Sequence, residues 1–297
     1  MDNELTLFDR LNVIRDVIKK YGEANFYISF SGGKDSTVLH YLIDEALPGN
    51  RIPRVYADTG IEYNAVKEFV KELQACDDRI QIIKPSVNIK QMLEKDGYPF
   101  KSKEHSQVLA VYQHSGLGYT VKRYLYDNRG KFHCPKALKY QFDDDFDLKI
   151  SDKCCQRMKK DPFKRWKKEN GRSMALTGMM ATEGGLRESI QNCIITDKDG
   201  KLKKFHPLLK VTEEWENWYI QERNIRLCKL YYPPYNFKRT GCKGCPYALG
   251  LQEQLEVMYT LMSEEYRQCE LIWKPVYDEY RRIGYRLKKN IQTKLDV

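Results

Sequence analysis

Residues 24–36 read ANFYISFSGGKDS, and this stretch decides the fold. Its first seven residues are largely apolar, rich in aromatic and β-branched side chains, and predict a short buried strand. Ser31-Gly32-Gly33-Lys34-Asp35-Ser36 follows at once, and residues 36–47 predict a helix closed by Pro48-Gly49. A strand that runs through two glycines into a helix makes an anion cradle. The glycines let the backbone turn tightly and aim N–H groups outward, and the helix N-terminus adds partial positive charge. Ser31 and Ser36 supply hydroxyl donors, Lys34 a mobile cation, and Asp35 a carboxylate able to hold Mg²⁺ directly or through water. The spacing is neither Gly-x-x-x-x-Gly-Lys-Ser/Thr nor Gly-x-Gly-x-x-Gly, so two commoner phosphate and dinucleotide loops are excluded.

Outward from the cradle the same rhythm repeats. Residues 5–21 predict an amphipathic helix, with Leu7, Leu11, Ile14 and Ile18 at helical spacing. Residues 54–57 predict a second strand ending in Asp58-Thr59-Gly60, residues 62–76 a helix, residues 80–84 a third strand and residues 173–177 a fourth, ending at Gly178. Strands alternating with helices predict an α/β fold, a doubly wound, mostly parallel sheet of about five strands with right-handed crossovers. Ligands of such sheets bind beyond the carboxyl ends of the strands, which puts Asp58, Thr59, Gly60 and Gly178 with residues 31–36 as candidate nucleotide contacts. Residues 101–151, polar, aromatic and Gly-punctuated, read as an insertion or lid. The expected division is a nucleotide-binding domain over residues 1–240 and a helical region over 241–297.

A 297-residue chain with 41% hydrophobic and 31% charged residues is a globular protein with room for a sizeable core. Its net charge of +10 suits an anionic partner such as a nucleotide or nucleic acid, although a run such as residues 164–168 also reads as a solvated helix face. No apolar run reaches the ~20 residues that span a bilayer, and the first residues lack secretory-signal order, so no membrane partner and a cytoplasmic location are expected. Nine cysteines without an export signal point to metal or thiol chemistry in place of a disulfide framework. Cys154-Cys155 and, further on, Cys242-x-x-Cys245 offer four thiolates, which the residues alone leave open to a 4Fe–4S cluster, zinc or metal-free thiols. Cys76, Cys228 and Cys269 read as packing cysteines, and Cys134 and Cys193 as structural, with a substitute ligand role as the alternative. Lys159 lies four residues after Cys155, where a cation can stabilise charge on a cluster and its substrate.

SGGKDS with a downstream Asp-Thr-Gly resembles the phosphoadenosine phosphosulfate (PAPS) reductase family of the PP-loop, or adenine nucleotide α-hydrolase, superfamily. Further stretches carry the resemblance over roughly residues 15–250. Lys153-Cys154-Cys155 with Lys159 and Pro162-Phe163 is similar to the family's Cys-Cys-x-x-Arg-Lys-x-x-Pro-Leu segment, with Met158 where the family has Arg. Gly185-Leu186-Arg187 resembles its Gly-Leu-Arg phosphate-binding turn, and Pro207-Leu208, Trp215, Tyr231 and Gly241-Cys242 match its later stretches. The resemblance implies an adenine nucleotide as ligand (ATP, or adenosine or phosphoadenosine phosphosulfate). It implies Lys34, Asp35, Lys159 and Arg187 as the chemical groups, and a 4Fe–4S cluster on Cys154, Cys155, Cys242 and Cys245 as in the iron–sulfur branch.

Reductases of that family attack sulfur with a cysteine in a Glu-Cys-Gly-Ile/Leu-His segment, which these 297 residues do not contain. The resemblance therefore leans to relatives that cleave ATP to AMP and pyrophosphate, adenylate an acceptor and transfer sulfur. Examples are the DNA phosphorothioation sulfurtransferase and tRNA-thiolating enzymes. A nucleic acid as sulfur acceptor and a sulfur-donor protein are the implied partners. A sulfonucleotide reductase releasing sulfite and a non-catalytic nucleotide-binding subunit are the alternatives.

Overall fold

The computed structural model describes residues 2–127, 132–183, 190 and 192–288. These divide into two compact units. The first takes in Met1–Asp58, Glu62–Lys84 and Pro162–Gly241; the second takes in Thr59–Ile61, Pro85–Asp161 and Cys242–Val297. Residues 101–151 thus group with the C-terminal stretch.

The first unit holds one six-stranded sheet: β1 (Phe26–Phe30), β2 (Arg54–Ala57), β3 (Ile80–Ile83), β4 (Met174–Leu176), β5 (Ile194–Thr196) and β6 (Leu202–Phe205), in the order β3-β2-β1-β4-β6-β5. All neighbours pair in parallel except β5 with β6. The chain leaves β1 for β2 and β3 on one side, then returns to place β4 on the other. The switch in strand order therefore falls between β1 and β4, at the end of β1 where the cradle begins.

Helices α1 (Asn3–Tyr21), α2 (Lys34–Ala46) and α3 (Asn64–Cys76) fall close to their expected bounds. α2 buries Val38, Leu39, Leu42 and Ile43 at helical spacing. In β1, Phe26, Ile28 and Phe30 are buried on one face, while Tyr27 packs on the other with Val55 and Trp166. At the opposite end of the sheet from the cradle, the fully buried Arg54 donates to His40 Nδ1 at 3.0 Å and to Asp44 at 2.6 Å. Arg79 joins Asp44 to Asp77. His40, Asp44 and Asp77 come close enough to chelate a cation, but the two guanidinium groups already satisfy the carboxylates. This cluster is a buried ion network that ties α2 to the base of β2 and β3.

The second unit is helical. It contains α4 (Ile89–Asp96), α5 (Lys103–Ser115), α6 (Tyr119–Tyr126), and, after the helix α7 (Asp161–Asn170) and α8 (Glu213–Glu222) have been passed in sequence, α9 (Leu251–Leu261), α10 (Ser263–Ile272) and α11 (Lys274–Ile283). Capping follows the local chemistry: Asn88 and Gln91 form a reciprocal capping box on α4, and Ser102 Oγ accepts from His105 N at 3.1 Å at the head of α5. Among the described residues no helix is long and apolar enough to cross a membrane.

Candidate functional site

The cradle is built in the first unit. Gly32 adopts φ +70, a left-handed turn that a side chain would strain, and Gly33 caps α2. Ser36 Oγ knits the turn together: it accepts from Ser31 N at 3.1 Å, meets Ser31 Oγ at 2.9 Å and donates to Gly33 O at 3.0 Å. Lys34 N donates to the Tyr231 hydroxyl at 2.9 Å, which in turn meets Thr240 Oγ1 at 2.8 Å.

The Lys34 ammonium lies 3.1 Å from Glu216 and 3.3 Å from Glu213, both on α8. Burial opposes the lysine's charge, but the Glu216 and Glu213 carboxylates more than offset it and hold its pKa above the ordinary value. Burial pushes the Glu216 carboxyl up to about 7, with Asp35 adding to the rise and Lys34 opposing it.

Gly178 closes β4 against the first turn of α2. A Cβ there would sit 2.5 Å from Asp35 O and 3.0 Å from Ser36 N, so only glycine lets these backbones approach. Gly178→Ala is accordingly expected to destabilise the fold by about 1–3 kcal/mol, since backbone on both sides must shift. A lowered urea midpoint at unchanged m checks this, and an unchanged midpoint contradicts it.

Asp58 follows β2, one residue past the rung that continues Phe30↔Tyr56, so it stands at the same carboxyl edge as Ser31. Its N donates to Ile83 O at 2.8 Å and its carboxylate lies 3.5 Å from Lys67 Nζ. Thr59, buried, and Gly60, at φ +85, belong to the second unit. Arg187, and with it the Gly-Leu-Arg turn, lies outside the described residues.

The cysteines meet in the second unit. Cys154 and Cys155 begin a helix whose next residues, Gln156–Lys160, form a π-turn that runs into α7. Such a turn shifts the helical phase and is frequent at functional sites. Ser151 anchors the approach: its N donates to Tyr98 O at 2.8 Å, and its Oγ accepts from Lys153 N at 3.1 Å.

The Cys242-Lys243-Gly244-Cys245 hook is held from α11 and its flanks. Trp273 Nε1 donates to Lys243 O at 3.2 Å, the Tyr277 hydroxyl to Gly244 O at 2.5 Å, and the Tyr280 hydroxyl to Pro246 O at 2.9 Å. Gly244 sits at φ +59, and a Cβ there would press on the Tyr277 hydroxyl and lie 2.8 Å from Cys269 Sγ. Gly244→Ala is expected to dislodge the hook, read as a drop in thermal stability of the purified protein; an unchanged midpoint would show that the hook tolerates the shift.

Burial raises the Cys154 thiol pKa, and Cys242, Cys155 and Cys245 are its next electrostatic neighbours, with Lys159 acting in the opposite sense. The Cys245 thiol is pushed up to about 12 by burial and then by Cys242, with Cys155 adding and Lys159 again lowering it. The structure thus brings the four expected cysteines and Lys159 together.

Among the described residues, no three of these sulfurs lie within 4.8 Å of one another. A tetrahedral zinc site with Zn–S of ~2.3 Å would space them ~3.8 Å apart. By the chemistry of the donors, four soft thiolates would suit an iron–sulfur cluster. Cys76, exposed, and Cys228, buried, both lie in the first unit. Cys269, fully buried beneath Gly244, is a packing cysteine whose pKa burial raises to about 12.

Sequence reasoning missed Glu216 and Glu213. The run Thr212-Glu213-Glu214-Trp215-Glu216 reads as a capped helix start, and Thr212 Oγ1 does accept from Trp215 N at 3.2 Å. The available signal was a glutamate one residue after a tryptophan and three before a tyrosine, both of which are buried.

A protein of Methanocaldococcus jannaschii, itself uncharacterized, is 35% identical over 91 residues, covering 29% of this chain and 22% of that relative, so the chain spans about a fifth of its length. The phosphate complex of the PAPS reductase from Candida auris aligns over 78% of this chain and 87% of its own, at 16% identity and a TM-score of 0.48. A tRNA thiolase from Methanococcus maripaludis, solved with its 4Fe–4S cluster, aligns over 95% and 80%, at 15% identity and a TM-score of 0.37. The sequence matches the family described as the phosphoadenosine phosphosulfate reductase domain over residues 25–125 and 119–248, a span that contains the cradle and all four clustered cysteines. The chain therefore belongs to the phosphoadenosine phosphosulfate reductase domain family.

Proposed function

We propose that this protein is an ATP-cleaving, adenylating enzyme that carries out sulfur transfer with a 4Fe–4S cluster held by Cys154, Cys155, Cys242 and Cys245. The observation that carries the reading is the grouping of those four thiols with Lys159 in a chain that also has the Ser31–Ser36 cradle. When bound, such a cluster, with each iron held by a thiolate, would supply redox and electrostatic chemistry. Lys159 lowers the cost of negative charge beside the thiolates.

At the cradle, an acceptor oxygen attacks the α-phosphorus of ATP. The bond from that phosphorus to the bridging oxygen breaks, and pyrophosphate leaves with the electron pair. Lys34 and the backbone N–H groups of the turn stabilise the charge that develops on the pyrophosphate. Asp35 would hold Mg²⁺, which neutralises phosphate charge. A sulfur nucleophile, delivered by a donor protein, then displaces AMP from the acceptor. The net charge of +10 supports an anionic acceptor, nucleic acid foremost.

The burial of Cys269 weighs against that residue as a reductase nucleophile, because attack on sulfur needs an accessible thiolate. The test is to incubate anaerobically purified protein with ATP and RNA or DNA fractions, measuring AMP and pyrophosphate, and in parallel with adenosine phosphosulfate or PAPS and a thiol, measuring sulfite. Pyrophosphate release that depends on nucleic acid is the expected result. Sulfite release without pyrophosphate release would replace this reading with the reductase.

A further inference from the structure

Three donors of the cradle are engaged by the protein's own oxygens. Gly33 N donates to Ser31 Oγ at 3.3 Å, Lys34 N to the Tyr231 hydroxyl, and the Lys34 ammonium is held by Glu216, Glu213 and, at 3.5 Å, Asn217 Oδ1. Glu216 stands out among these partners. Its side chain is 0% exposed, and the Lys34 ammonium 3.1 Å away is both its counter-ion and its hydrogen-bond donor. A carboxylate buried this completely depends on its counter-ion. The charged groups facing it are Lys34 and Asp35 from α2 and Glu213 from its own helix. The two acids repel it, and Lys34 is the cation that opposes them.

We propose that Glu216 is a positioning residue that competes with ligand phosphate for the Lys34 ammonium, keeping the cradle in a closed, low-affinity state until a multiply charged anion draws the lysine away. The inference rests on the reading of residues 31–36 as a phosphate cradle. Its physical content is a sign. If Glu216 merely shaped the site, removing its charge would weaken anion binding or leave it unchanged. If it competes for Lys34, removing its charge frees the lysine and tightens binding. Polyphosphate would open the latch more readily than a singly charged anion, because the pull on Lys34 grows with ligand charge.

The experiment is calorimetric titration of the full chain with inorganic pyrophosphate, without added metal. Glu216→Gln keeps the shape of the side chain and is expected to bind about tenfold more tightly than wild type. Lys34→Met should bind more weakly, and Glu216→Gln added to Lys34→Met should change affinity less than about twofold, because the gain runs through the lysine. Equal or weaker binding by a folded Glu216→Gln protein, or a gain that survives in the Lys34→Met background, overturns the inference while leaving the cradle in place. Absence of pyrophosphate binding in every protein overturns the cradle reading and this inference with it. Should Glu216→Gln fail to fold, Glu213→Gln, at the exposed end of the same latch, decides: a gain of about two- to threefold supports competition for Lys34, and no gain refutes it.

Discussion

Gly33→Val and Lys34→Ala are each expected to cut pyrophosphate release from ATP by about 10²–10³-fold, the scale on which single transition-state donors act. The two changes fail for different reasons. Lys34→Ala removes the cation proposed to meet the leaving pyrophosphate; among the described residues its ammonium pairs with carboxylates and an amide on α8, so the strands and the core under α2 keep their contacts. The protein should fold, although Glu216 loses its counter-ion and becomes protonated more readily.

Gly33→Val acts on the backbone. Gly33 has φ −83, which valine adopts without strain, but its Cβ would stand 3.2 Å from Ser31 Oγ and Thr240 Oγ1 and 3.3 Å from the Tyr231 hydroxyl. The added methyl groups must displace the hydroxyls that organise the loop and cover the N–H groups that face a phosphate. Measurement of pyrophosphate and AMP with each variant, alongside thermal melts, separates lost chemistry from lost fold. Wild-type turnover in either variant contradicts the cradle assignment.

The part of the fold nearest the cradle was the most legible in the sequence, because there every local signal agrees. An apolar run of seven residues, two glycines and a helix start leave little choice of conformation, and β2 falls over the expected residues. The edge hairpin was not legible. β5 and β6 have three and four residues, and Lys203 and Lys204 lie exposed in the middle of β6, so neither hydrophobic alternation nor length marks them. Their antiparallel pairing makes the sheet six-stranded where about five strands were expected.

Residues 101–151 looked irregular because α5 and α6 are separated by Gly116 and Gly118. Their shared centre is also polar: His105 is held between the Tyr124 hydroxyl at 3.0 Å and Gln141 Oε1 at 2.7 Å. Glu216 was hidden for a related reason. Whether a helical glutamate faces water or a lysine 182 positions earlier is decided by tertiary packing, which local propensity does not encode.

The four cysteines stand out as candidates by residue type and spacing, the cluster itself by the family resemblance, and they yield the second large prediction. Ser at any one of positions 154, 155, 242 or 245 is expected to remove most of the iron from anaerobically purified protein, where wild type is expected to carry about four irons per chain. The brown iron–sulfur absorption should fall with it. Stability should fall in the same variants, because ligand binding and local folding at such a site are coupled. Cys76→Ser and Cys228→Ser should keep their iron, since neither belongs to the proposed ligand set. Gly244→Ala supplies the sharper control. It leaves all four sulfurs in the chain but forces the hook away from Cys269 and Tyr277, so iron loss there would show that the hook's geometry, as well as its thiols, makes the site. Full iron loading in Cys242→Ser, or zinc at one ion per chain in place of iron, would refute the cluster. It would take the sulfur-transfer half of the proposed function with it, while the test of the nucleotide cradle through Lys34 would stand unaffected.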